Sequence, residues 1–62
     1  MTETELMKCR EMIQRLDLAI EESSETVILM TDQDLNPSMV IGFIHGLRAA
    51  KKMVKQIIKR EE

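Results

Sequence analysis

The sequence predicts an all-α fold: an antiparallel two-helix hairpin, with helices at about 2–30 and 37–60, forming one domain over 1–62. Three observations predict it. Apolar residues recur at three- and four-residue spacing on both sides of a short polar stretch. That stretch, Thr31 to Pro37, carries stop and start signals for helices. The chain also holds a single aromatic residue, Phe43, among many aliphatic and charged ones, a composition that suits helices better than strands.

The first helix shows a heptad pattern. Leu6, Ile13, Ile20 and Val27 lie seven apart, and Cys9, Leu16, Ser23 and Met30 follow them by three. The two series make one a/d seam of a left-handed helix pair. Thr2 or Thr4 can cap its start, with glutamates in the first turn where the helix dipole favours them. Its weak point is Ser23-Ser24 followed by the β-prone run Thr26-Val27-Ile28-Leu29, where a short strand is the alternative.

The turn follows. Asn36 is a good N-cap and Pro37 suits the first helical position, where its missing N–H costs nothing. Asp34 is an equally suitable cap. A connection this short makes the helices antiparallel neighbours. In the second helix Val40, Phe43, Leu47, Ala50, Val54 and Ile57 alternate three and four apart, flanked by Ile44, Met53 and Ile58. Lys51, Lys52, Lys55, Lys59 and Arg60 crowd its last turns, where cations suit the dipole.

Charge is uneven. Residues 1–35 carry nine acids and three bases, net −6, while residues 36–62 carry six bases and two acids, net +4. Antiparallel packing sets these halves against each other, so much of the asymmetry is expected to be satisfied internally.

Size makes self-association the expected route to stability. A chain of 62 residues buries only about 60% of its unfolded surface. One cysteine, Cys9, forbids an intrachain disulfide, and one histidine, His45, leaves out the usual zinc sets. Apolar residues also remain outside the seams: Met7, Leu18, Ile28, Leu29 and Ile41, with Ile44 and Ile58 beside them. A second hairpin covering them makes a four-helix bundle. Gly42 and Gly46, one turn apart and continued by Ala49 and Ala50, form a small-residue face that lets another backbone approach. The expected oligomer interface combines Gly42, Gly46, Ala49 and Ala50 with Phe43 and Leu47 of the second helix and Ile13, Leu16 and Ile20 of the first.

Catalysis has little to work with. There is no Gly-rich phosphate loop and no workable nucleophile–histidine pair within one hairpin, so the expectation is a non-enzyme without cofactor or metal. Asp32-Gln33-Asp34 begins like a calcium loop but lacks the glycine and later glutamate. Cys9 reads as a small buried hydrophobe. Met7, Met12, Met30, Met39 and Met53 lie on or near apolar faces, as core filling or as an adaptable binding surface. The strongest polar signal is a stripe: His45, Arg48, Lys52, Lys55 and Lys59, three and four apart on one outward face. It is either an ordinary solvated face or a track for a partner's phosphates.

No run approaches the roughly 20 apolar residues needed to span a bilayer, and the acidic N-terminus lacks a signal-peptide pattern. The expectation is a cytoplasmic chain with no membrane partner and a reduced thiol. In size and topology the layout resembles the Rop-type plasmid regulators, without a shared motif. That resemblance implies a hairpin that dimerises into a four-helix bundle and binds RNA. Three functional readings follow. The first is a homodimeric interaction module that binds and modulates another protein, of the kind phages and plasmids encode. The others are a nucleic-acid-binding dimer using the basic stripe, and a structural assembly subunit.

Overall fold

The computed structural model describes residues 1–61, which form α1 (Glu3–Asp32) and α2 (Ser38–Glu61), packed antiparallel along their length. There is no strand among the described residues. The molecule measures 47 × 14 × 11 Å. Its thinnest dimension is one helix diameter, so the hairpin is a single layer and its only interior is the stripe between the helices.

Each helix boundary has a local cause. The Thr2 hydroxyl oxygen accepts from the Glu5 N–H at 3.1 Å and donates to the Glu5 carboxylate at 3.0 Å, so Thr2 is the cap. The first α1 bond runs from the Leu6 N–H to the Thr2 carbonyl. At the other end the Leu35 N–H bonds the Met30 carbonyl at 2.8 Å and the Asp34 N–H bonds the Thr31 carbonyl at 3.1 Å. That is a Schellman closure, and it places Asp34 in the left-handed region at φ 62°. Asp34 therefore ends α1 and does not cap α2. Asn36 does that, its Oδ1 accepting from the Ser38 N–H at 3.0 Å and the Ser38 hydroxyl at 2.6 Å.

The strand considered for 26–29 does not form, and α1 runs unbroken to Asp32. The hydroxyls of Ser24, Thr26 and Thr31 each donate to the carbonyl four residues back, at 2.8 to 3.0 Å, so they are satisfied within the helix.

All eight seam positions read from the α1 heptads, Leu6 through Met30, are half-buried against α2. On α2 the seam is rotated from the expected one. Val40, Leu47 and Val54 face α1 as anticipated. The column completing them is Ile44, Lys51 and Ile58, with Ala50 half-buried at its edge, while Phe43 and Ile57 are exposed. Ile44, 8% exposed, is the one enclosed hydrophobic side chain among the described residues, whereas Phe43 and Ile57 point outward. Lys51 takes part in this seam. Its ammonium pairs with Asp17 of α1 while its half-buried stem lies along the seam. A charged residue thus shares with Ala50 a level of the seam for which Ala50 was the apolar candidate.

The expected internal compensation of charge is largely missing. Among the described residues two ion pairs form: Lys51 with Asp17, and the Met1 amino group with Glu61 at 3.0 Å. The remaining α2 cations have no carboxylate of the described residues within ion-pair distance.

Candidate functional site

The rotated seam leaves α2 with two unlike flanks. Asp17, Ser24 and Ile28 of α1 line the same grooves as Ile44, Arg48 and Lys51 of α2. These residues define one broad face of the layer. The outward residues Phe43 and Ile57 belong to the opposite broad face, because 100° per residue puts them on the other side of the Val40–Leu47–Val54 line.

The α2 flank of that face carries no charge between Met39 and Ile57. Met39 is 90% exposed, Met53 64% and Phe43 57%, with Gly42, Gly46 and Ala49 between them, all exposed. A Cβ built at Gly42 or Gly46 meets nothing within 4 Å. Nothing inside the hairpin therefore requires a glycine at either place, although each costs about 1 kcal/mol against alanine in a helix interior. Of the residues expected at an oligomer interface, Gly42, Phe43, Gly46 and Ala49 lie here. Ile13, Leu16, Ile20 and Leu47 are half-buried in the hairpin's own seam, with Ala50 at its edge.

The first broad face holds the polar stripe. Arg48, Lys52 and Lys55 line a shallow groove of about 480 Å³ with Asp17, Ile20 and Lys51. His45 and Arg48 line the adjoining apolar depression with Val27, Ile28, Ile41 and Ile44. Lys59 continues the stripe toward the open end beside Gln56 and Arg60. Between Ser38 and Arg60 there is no acidic residue. Like charges three or four apart on a helix destabilise it by a few tenths of a kcal/mol per pair. The dipole offsets this only in the last turn, which leaves Arg48 and Lys52 without local compensation.

No family model, curated protein or solved structure matches this chain. The site's chemistry therefore rests on its own side chains. Among the described residues no three of His, Cys, Asp and Glu gather as metal ligands. Cys9 is half-buried in the seam and unpaired with sulfur. No helix among the described residues is long and apolar enough to cross a membrane.

Lys51 is the residue that the pattern alone did not place. Its signal was present: it lies seven after Ile44 and seven before Ile58. Reading both columns beside Val40–Leu47–Val54, then asking which could find an acid on α1, selects it.

Proposed function

We propose that this chain works as a homodimeric interaction module. Two hairpins pack the charge-free α2 faces together into a four-helix bundle, and the assembled bundle binds and modulates another protein. The observation that carries the reading is the exposed strip of Met39, Phe43, Met53 and Ile57 beside two glycines with open space above them.

Area supports it. A folded monomer of 7.2 kDa is expected to expose about 4,100 Å². This hairpin exposes 5116 Å². The excess of about 1,000 Å² is close to the roughly 800 Å² that each partner contributes to a standard interface. A layer with one enclosed hydrophobic side chain has little of its own to hold it folded, and a second layer supplies the missing half of the core.

Sedimentation equilibrium tests the dimer. The expected mass is twice the chain's own 7.2 kDa. Gly46→Leu fills the space a second backbone needs and is expected to shift the mass toward that of one chain, with helicity retained or reduced. A wild-type protein that sediments as a single chain and still unfolds cooperatively contradicts the proposal.

A further inference from the structure

The outer surface of α1 complements the basic groove. At 100° per residue, Glu11, Leu18, Glu22, Glu25 and Leu29 fall on one outward stripe, and all five are exposed. The stripe is acidic and apolar. The groove face on α2 is basic and apolar, with Ile41 leading into His45, Arg48, Lys52, Lys55 and Lys59.

The spacings agree as well as the charges. From Ile41 the α2 series advances to His45, Arg48, Lys52, Lys55 and Lys59 in steps of four and three by turns. From Leu29 the same steps taken backward along α1 reach Glu25, Glu22, Leu18, Arg15 and Glu11. Laid antiparallel, Leu29 meets Ile41, Glu25 meets His45, Glu22 meets Arg48 and Glu11 meets Lys59, while Leu18 lies along the aliphatic stem of Lys52. The match extends over about 27 Å of helix at 1.5 Å per residue. One pair opposes it, Arg15 with Lys55, and Arg15 sits at the edge of the stripe.

We infer that a second copy of this chain docks its α1 outer stripe, Glu11 to Leu29, into the basic α2 groove, joining dimers into larger assemblies. The occupant is identified by both surfaces being present on one molecule with opposite charge. A nucleic-acid backbone would match the cations but not the apolar end at Ile28 and Ile41. The contact is heterologous, since each surface meets a different one on its neighbour. It therefore forms rings or open arrays and not a closed pair. Its charges are exposed, so it is salt-sensitive and weaker than the apolar interface.

The inference adds to the dimer of the preceding section, and the test separates the two. Weight-average mass is measured by sedimentation at about 20 mM and about 500 mM NaCl, where screening is weak and strong respectively. At low salt the mass is expected to rise above that of the dimer with concentration, and at high salt to return to it. Glu11→Lys/Glu22→Lys and, separately, Arg48→Glu/Lys59→Glu are expected to abolish the low-salt rise, each staying dimeric. Mixing the two variants restores association, because the reversed stripe of one meets the reversed groove of the other at the pairs 22 with 48 and 11 with 59, and their unchanged surfaces match as well. Arg15→Glu removes the one opposing pair and is expected to strengthen association by about threefold, the scale of one exposed ion pair. A dimer whose mass is independent of salt overturns the inference and leaves the dimer standing. Low-salt association built from single chains, with no dimer at high salt, overturns the dimer alone. Failure of the mixed variants to associate, or a low-salt rise that appears only on adding duplex RNA, also overturns the inference.

Discussion

Replacing Phe43 by alanine separates the two roles that neighbouring α2 positions play. Phe43 leaves 57% of its surface exposed in the hairpin. A phenylalanine presents roughly 200 Å², so about 110 Å² is available for a second copy to cover. At about 25 cal/mol per Å² that is close to 3 kcal/mol per protomer. A twofold dimer loses it twice, less the Cβ that alanine keeps, giving about 4–6 kcal/mol. The dimer dissociation constant is then expected to rise by roughly 10³- to 10⁴-fold. Sedimentation equilibrium over a concentration series at high salt reads this directly. Met7→Ala is the control, because Met7 is as exposed at 60% but lies on the outer side of α1, away from the charge-free face. Its dissociation constant is expected to stay within about threefold of wild type. A change under about tenfold for Phe43→Ala, or an equal change for Met7→Ala, refutes the assignment of the face.

Three further predictions concern the hairpin itself. Asp34→Gly relieves a left-handed residue at φ 62° and is expected to stabilise the fold by about 0.5–1 kcal/mol in urea unfolding; destabilisation contradicts the Schellman account. Lys51→Met keeps the seam-filling stem and removes an ion pair whose Asp17 side is half-exposed, so stability is expected to change by less than about 1 kcal/mol, whereas Lys51→Ala costs more through lost packing; equal losses in urea unfolding count against a packing role for the stem. The hydrogen bond and charge of Glu61 raise the pKa of the Met1 amino group above the ordinary 8.0. Because the folded value is the higher one, this clasp contributes fully below pH 8.0 and is lost as pH rises through the raised folded value; an NMR titration in which Glu61→Gln leaves the midpoint unchanged contradicts it.

Much of the fold was legible from period and punctuation. The positions named by the α1 heptads are all half-buried, because α1 has one apolar column pair and no competitor. On α2 two columns compete beside Val40–Leu47–Val54, and local pattern favours the one without a charge. The column that packs carries Lys51, whose ammonium pairs with Asp17 on the other helix, a tertiary contact that no window of sequence contains. Asp34 was ambiguous for a similar reason. An aspartate is a good N-cap and also tolerates positive φ, and only the closing bonds from Leu35 and Asp34 back onto α1 distinguish the two. The charge asymmetry was visible, but its fate was not. Net charges of two halves say nothing about which side chains come within reach, and one interhelical side-chain pair is what the described residues form.

The candidate surfaces follow from the same rotation. With Phe43 and Ile57 in the seam, the leftover apolar residues would be scattered around both helices. With Ile44 and Ile58 there instead, Phe43, Ile57, Met39 and Met53 gather on one charge-free flank beside Gly42 and Gly46. The basic stripe is then confined to the other broad face, where the α1 edge offers Asp17 and Ile28. α2 thus presents an apolar flank and a basic flank, a division that favours a homodimer with its cations outward.

Whether a second copy covers the α2 face from Met39 to Ile57 can be read atom by atom. Isotope-filtered NOE spectroscopy on a mixture of ¹³C-labelled and unlabelled protein at high salt reports only contacts between protomers. Intermolecular NOEs are expected from the Phe43 ring to methyl groups of Met39, Met53 or Ile57 of the other protomer. Their absence in a protein that sediments as a dimer, or intermolecular NOEs leading instead to Ile28 and Ile41, contradicts the proposed interface.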